Sequence, residues 1–338
     1  MSRRSSHPRL VDVAERAGVS MRTVSNVVNG YVHVSAGTRE RVEQAVAELG
    51  YRPNLVARNL ARGRTGLVAL VVPQLEMPYF ASLAQQMLDA AEAMGLHLVV
   101  EQTHGSRERE LAALEGSFGQ RIDGIVLSPT TLDRDDIEAR RSTLPLVLLG
   151  DRDWPDSVTS VAIDRLAAAC AAVEHLLDTG RRRVAIVGTN LNASNARWQG
   201  WHDTLTAARC PVSSDLQFET TGISGDDGES AARRIVELQE RPDAVFCVTD
   251  WIALGLIRGL QRAGLDVPDD IAVVGHDDIP YGRASNPTLT TISPNRAEIA
   301  TIALQAVSDA QEGPQRQTVG WSLVVRESSA GHGGVANP

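Results

Sequence analysis

Arg22 and Asn26 stand four residues apart in the segment SMRTVSNVVN, a spacing that puts both on one face of a helix. An arginine can clamp O6 and N7 of guanine, and an asparagine N6 and N7 of adenine. With Met21 and Thr23 they form a set of side chains suited to base edges in a major groove. Ser20, Ser25, Asn29, His33, Ser35 and Thr38 are short polar groups suited to phosphate contacts, which fix register without reading sequence. A second set lies far downstream. Asp250 ends the run DAVFCVTD, Asp277 and Asp278 end IAVVGHDD, and Arg197 sits in the polar segment NASNARWQGW. A carboxylate and a guanidinium converging on a cleft can hold a neutral polyol through paired hydrogen bonds, with an aromatic ring against its apolar face.

Each assignment has a plainer counterpart. A strand-end Asp often caps the next helix, an exposed Arg often does nothing, and Trp198, Trp201 and Trp251 are as readily core as ligand wall. Asp277 and Asp278 are adjacent and would leave a strand in different directions, a poor arrangement for paired acid–base catalysis. The three cysteines, Cys170, Cys210 and Cys247, are widely spaced. That spacing fits neither a disulfide framework nor a zinc site, and points to a reducing cytoplasm.

The elements that must carry these groups change character along the chain. In the first fifty residues Val13, Ala14 and Ala17 mark one helix, interrupted at Gly18. Ser20 is placed to cap a second, Met21 to about Asn29, with Val24, Val27 and Val28 inward. Ser35 can cap a third, in which Val42, Ala45, Val46 and Leu49 follow the helical repeat up to Gly50. This is the compass of a helix-turn-helix, whose second helix enters the major groove. A three-helix structural subdomain with solvated arginines is the alternative. Beyond Gly66, seven Val/Ile/Leu-rich runs alternate with amphipathic stretches, in two groups before and after about residue 160. Near-continuous apolar strands separated by helices indicate parallel sheets covered on both faces, hence two doubly wound lobes with a cleft at the carboxyl ends of their strands.

Charge separates the same two regions. The 338 residues carry a net −9, yet residues 1–65 hold 11 Arg against five acids, a net +6. The remainder holds 22 Arg against 37 acids, a net −15. A basic head on an acidic body fits a polyanion-binding module on a soluble carrier. MSRRSSHPRL lacks the apolar segment of a secretory signal, and no stretch reaches the length of a membrane span, so the expected location is the cytoplasm.

The blocks DVAERAGVS, TVSNVVNG, HVSAGTRERV and ELGYRPNLVARNLARGRTG resemble the head of the lactose/galactose-repressor (LacI/GalR) family. Downstream, VEHLLDTGRRRVAIVG, ARWQGW, DWIALGLIRGL, VVGHDD, PTLTTI and LVVRESS follow in that family's order. The resemblance implies a helix-turn-helix head (1–52), a hinge helix (53–65) and a periplasmic-binding-protein-like sensor (66–330) whose chain crosses between lobes. A mobile tail (331–338) is expected to follow. It also implies that hinge helices from a dimer order in the minor groove, with Asn54, Ala57, Arg58 and Leu60 at the DNA and Leu60 as a wedge. By the same resemblance Arg197, Asp277 and Phe80 bind the ligand, joined by Thr249 and Asp250 at a strand end.

The expected activity is that of a ligand-responsive transcriptional regulator, a repressor by expectation. It would bind a palindromic operator as a homodimer and change affinity with a sugar or related polyol, without a cofactor or metal. Thr249 stands where the family usually has Asn, Met77 replaces an Asn before Phe80, and ISGDDGES lacks an aromatic found in many members. These departures leave the ligand unnamed. The tail has no leucine heptad for a tetramerising coil. A transport solute-binding protein would be exported and lack the head, and an α/β enzyme would need a P-loop, GxSxG or metal motif, none of which the chain carries.

Overall fold

A computed structural model describes residues 8–28, 31, 33–51, 64–150, 152–308 and 313–330. The chain divides into two compact units, Met1–Gly66 and Leu67–Pro338.

The first unit holds helices α1 (Leu10–Ala17), α2 (Met21–Val28) and α3 (Ala36–Leu49). Their apolar stripes meet in a small core of Val13, Ala14, Ala17, Val24, Val27, Val42 and Ala45. Burying a Val or Leu side chain stabilises by roughly 1.5–3 kcal/mol, so this head rests on few large contributions. Gly18 ends α1 at φ 65°, a left-handed conformation that lets the chain turn directly into α2. Ser20 caps α2 as expected, accepting from the Thr23 amide at 3.1 Å. Ser35 departs from expectation. It occupies the N-cap position of α3, but its hydroxyl donates to Thr38 Oγ1 at 2.9 Å and accepts from no backbone amide of the helix.

The second unit is built from two sheets. Strands β1 (Leu67–Val72), β2 (His97–Gln102), β3 (Gly124–Leu127), β4 (Leu146–Leu149) and β5 (Thr159–Ile163) enclose helices α4 (Pro78–Ala93), α5 (Arg107–Leu114) and α6 (Arg134–Glu138). Helix α7 (Arg165–Asp178) then leads to β6 (Val184–Gly188), α8 (Ala196–Ala207), β7 (Gln217–Glu219), α9 (Gly225–Val236) and β8 (Ala244–Cys247). After these come α10 (Asp250–Arg262), β9 (Ala272–His276), α11 (Tyr281–Ala284) and β10 (Thr290–Pro294). The chain returns to the first lobe through α12 (Arg296–Ser308) and β11 (Arg316–Val319), and ends in the second with β12 (Trp321–Val324) and α13 (Glu327–Ala330). The strand orders are β11-β5-β4-β3-β1-β2 and β12-β10-β9-β8-β6-β7. The described pairs are parallel except β10 with β12.

The inner strands β3, β4, β6, β8 and β9 are buried along their whole length, as expected when helices cover both faces of a parallel sheet. Among the described residues no helix is long and apolar enough to cross a membrane, and no group of His, Cys, Asp or Glu could hold a metal ion. Helices α9 and α10 approach to backbone contact. A Cβ at Gly255 would lie 1.9 Å from the Gly225 carbonyl oxygen. The close crossing sets the N-terminus of α10, with Thr249 before it, beside the loop that carries Ile223.

Candidate functional site

On the head, the first turn of α2 faces outward. Met21 is 54% exposed and Arg22 is exposed, while Val24 and Val27 point into the core. The Thr23 hydroxyl lies 2.8 Å from Ser20 Oγ, so it serves the helix cap as well as the surface. Ser25 and Asn26 are half-buried on the following turn. His33 is exposed and meets Tyr31 edge-on at 5.6 Å. Arg39 of α3 donates to the Tyr31 carbonyl at 2.9 Å. Asn29 and the hinge residues Asn54, Ala57, Arg58 and Leu60 lie outside the described residues.

In the body a cavity of about 350 Å³ opens where the carboxyl ends of the strands of both lobes meet, the usual place for ligands of open α/β sheets. The first lobe contributes Tyr79 and Phe80 from the start of α4, Ser128–Thr130 after β3, and Arg152 and Arg165. Asn190, Asn195 and Arg197 come from the second lobe, with Ile223, Thr249, His276 and Asp277. Four of the expected ligand residues, Phe80, Arg197, Thr249 and Asp277, are thus brought together.

Asp277 follows β9 at φ 124°, and Asp278 follows at φ 49°. Non-glycine residues there are strained and persist only where their surroundings over-determine them. Here they do. The Asp277 amide donates to the Ile292 carbonyl at 2.9 Å, and the Asp278 amide to Thr291 Oγ1 at 3.3 Å. Arg296, first residue of α12, donates to the carbonyls of both Asp277 and Asp278. The twist sends the two carboxylates apart, as their adjacency requires. Asp277 faces the cavity, while Asp278 is buried in ion pairs with Arg326 at 2.6 Å and Arg283 at 2.8 Å. Burial would raise the Asp278 carboxyl, but those two guanidiniums outweigh it and hold it below the usual range.

Asp250 is a correction. It is wholly buried and does not line the cavity. One oxygen accepts from the Ile279 amide at 2.8 Å and the other from Thr291 Oγ1 at 2.5 Å. Burial first, and the negative charge of Asp277 second, push its carboxyl up to about 8. The physical reason is position: Asp250 opens α10 one residue after the strand-end turn, so it points under the sheet end, and the capping residue Thr249 takes the cavity wall. Thr249 Oγ1 accepts from the Ile252 amide at 3.3 Å.

The charged core of the cavity runs through His276. Its Nδ1 lies 3.1 Å from Asp277 Oδ1 and 3.4 Å from Arg197 Nη2. Burial, reinforced by the positive charge of Arg197, lowers its imidazole to about 4, so it is neutral at physiological pH. A proton on Nδ1 serves Asp277 and leaves Nε2, buried and without a hydrogen-bond partner, as a bare acceptor. Arg197 sits in the first turn of α8, whose cap Asn195 accepts the Arg197 amide at 3.0 Å and donates to the Thr189 and Asn190 carbonyls. Across the cleft Tyr79 is held in its neutral form by burial and then by Asp277, and its ring meets Phe80 edge-on at 5.2 Å. The arrangement offers one carboxylate acceptor, guanidinium donors, amides and hydroxyls of either sense, and an aromatic pair on one wall. That is equipment for holding a polyhydroxylated molecule.

Sequence reasoning missed Tyr79, Arg152, Arg165, Asn195 and His276. Tyr79, Asn195 and His276 stand within two residues of a predicted contact, and their polar character was the available signal. Arg152 and Arg165 follow β4 and β5, and nothing in their local pattern set them apart. None of the three tryptophans lines the cavity. Trp198 donates to Gln217 Oε1 and stacks on His202, Trp201 is core and donates to the Val184 carbonyl, and Trp251 packs against Tyr281.

A three-helix head with an outward-facing second helix, and a two-sheet body closing a polar cavity, define a ligand-responsive transcriptional regulator. Residues 9–54 match the family of bacterial regulatory proteins described as lacI, and residues 173–329 match a periplasmic binding protein-like domain. Catabolite control protein A of Priestia megaterium is 32% identical over 319 residues, covering 93% of this chain and 95% of that protein. The HTH-type transcriptional repressor PurR of Haemophilus influenzae is 31% identical over 330 residues, covering 94% and 97%. Among solved structures, a lac repressor dimer bound to operator and the anti-inducer ONPF superposes with TM-score 0.75 at 29% identity, over 96% of this chain and 99% of that one. A complex of the regulator CelR with cellobiose superposes with TM-score 0.68 at 30% identity, over 95% and 99%. The chain belongs to the LacI family of bacterial regulatory proteins.

Proposed function

We propose that this chain is a cytoplasmic repressor that binds a palindromic operator as a homodimer and releases or tightens it when a sugar or related polyol enters the body cavity. The observation that carries the reading is the placement of Asp277, His276 and Arg197 side by side at the cavity wall, facing Tyr79 and Phe80 from the other lobe. Phe80, Arg197, Thr249 and Asp277 hold the effector, and Asp250 supports the turn from behind. The named relatives support the two halves separately: the lac repressor structure is a dimer on operator, and CelR carries cellobiose.

In the head (1–52), Met21, Arg22, Thr23 and Asn26 read bases, and Ser20, Ser25, Asn29, His33, Ser35 and Thr38 contact phosphates. In the hinge (53–65), Asn54, Ala57, Arg58 and Leu60 enter the minor groove, with Leu60 the wedge. The sensor (66–330) binds the effector. Effector occupancy shifts the population of lobe arrangements, and operator affinity changes by the effector's differential affinity for those states. A transport solute-binding protein is disfavoured by the match of residues 9–54 to the regulatory head. The protein holds its ligand without converting it.

Footprinting on DNA upstream of the gene, repeated with a panel of sugars, tests this. A protected palindrome whose protection one sugar abolishes or strengthens is the expected result. Intact sugar binding with no sequence-specific protection would reduce the protein to a sensor.

A further inference from the structure

Glu110 is a carboxylate buried to 0% exposure in α5, and it does not itself line the cavity. It accepts five hydrogen bonds from one short segment. Thr130 gives its amide at 2.9 Å and its hydroxyl at 2.6 Å to Oε1. Thr131 gives its amide at 2.9 Å and its hydroxyl at 2.7 Å to Oε2, and the Leu132 amide adds 3.2 Å. The carbonyls of the same three residues are taken by arginines. Arg152 donates to Thr130 at 2.8 Å and Leu132 at 3.0 Å, and Arg107 donates to Thr131 at 2.8 Å. A loop whose three amides face one anion and whose three carbonyls face two cations has no alternative partner at hand for any main-chain group.

Two members of this frame, Thr130 and Arg152, line the cavity. We propose that Glu110 is a positioning residue for effector recognition, which acts by holding the Thr130–Leu132 carbonyls where they orient the Arg152 guanidinium on the cavity wall. A carboxylate suits the role because it only accepts, so both threonine hydroxyls must donate to it. A buried carboxylate satisfied by five donors stays charged: burial raises its carboxyl, but the bonds from Thr130 and Thr131 outweigh that and hold it low. Replacing it by glutamine puts an NH₂ against donors and breaks the frame without opening a void. The Trp154 ring under Arg152, 5.9 Å from its guanidinium carbon, supports the other side. The inference rests on the cavity being the effector site.

The test is phenylglyoxal modification of the full-length protein, with the rate at each arginine read by peptide mass spectrometry. In Glu110→Gln the rate at Arg152 should rise by about fivefold or more, since one broken charge-assisted contact is worth about a tenfold change in an equilibrium. Arg197, across the same cavity, should be unchanged. Thr131→Val, which removes one of the five donors and keeps the charge, should raise Arg152 reactivity by a smaller factor. An unchanged Arg152 in both variants overturns the proposal, and so does a rise at all arginines alike, which would make Glu110 a residue of general fold stability. Cellobiose titration adds the functional readout: a wild type that binds it should bind about tenfold more tightly than Glu110→Gln, and equal affinity in a protein whose Arg152 is loosened overturns the link to recognition. If neither cellobiose nor any other sugar of the panel protects Arg152 or Arg197 in the wild type, the effector reading fails, and the modification rates still decide the frame.

Discussion

The Ile279 amide donates to the Asp250 carboxyl group at 2.8 Å, so an acid sealed beneath the sheet end holds the turn that presents another, Asp277, to the cavity. The strain at φ 124° is thereby kept by a residue that no ligand touches.

That relationship makes stability depend on pH. The Asp250 carboxyl is raised to about 8 in the folded protein, above its ordinary value of 3.8. Its contribution is therefore fully present below the unfolded value and is lost as pH rises through the folded one. Asp250→Asn, which mimics the protonated acid, should remove that dependence. Thermal midpoints of wild type and variant are expected to diverge steadily between pH 4 and pH 8, the wild type falling behind. Parallel curves would mean that the acid is not protonated in the fold.

Asp277 should be separable from Asp250 by function. Asp277→Asn keeps the size and loses the charged acceptor, so effector affinity should fall by roughly tenfold to a hundredfold, the effect of one charge-assisted bond of about 1.5–3 kcal/mol. Operator affinity without effector should remain. Calorimetry with the responding sugar and band shifts on the protected palindrome measure the two sides.

On the head, Arg22→Ala should cost about 1–3 kcal/mol of operator affinity and relax the base preference at one position of each half-site. A phosphate contact such as Ser35→Ala should weaken all sequences about equally. Selection from a randomised half-site library distinguishes the two patterns.

Leu60→Ser should strongly weaken operator binding, because a polar side chain cannot wedge between base steps. An unchanged affinity in band shifts would remove Leu60 from the minor groove.

Gly255→Ala tests the crossing of α9 and α10. The added methyl meets the Gly225 carbonyl at 1.9 Å, and the helices must part to admit it. Overpacking of this kind costs about 1–3 kcal/mol, read as a lower urea midpoint. Displacement of the Ile223 loop should weaken sugar binding as well.

The head was legible because its apolar residues repeat at the helical period and its turns carry Gly18 and Ser20. The seven strands of the body that sequence reading found are rich in Val, Ile and Leu. Three of those it passed over carry other signatures. β10 is TTISP, and its Thr290 and Thr291 are fully buried because their hydroxyls serve Ser329, Arg326 and Asp250, a partnership that hydrophobicity cannot display. β11 is RQTV, three of its four residues polar, with Arg316 and Thr318 exposed at a sheet edge. β7 is three residues long. At the cavity, resemblance pointed to Arg197 and Asp277. It could not show that Asp250 turns inward, since only the φ angles of the 277–278 turn bring Ile279 over it.

The return of α12 and β11 to the first sheet has a consequence for how the molecule is made. A ribosome releases the three helices of the head early, and all their contacts are local. The first lobe, by contrast, lacks an edge strand and a covering helix until residue 319 has emerged. Its sheet must wait, with β5 open to pairing by a stranger, through the synthesis of the entire second lobe. Contacts of such long sequence separation form slowly, and exposed strand edges in the interval invite aggregation. A nascent chain stalled near residue 310 is therefore expected to carry a finished head on an unfinished body, a species for chaperones to hold.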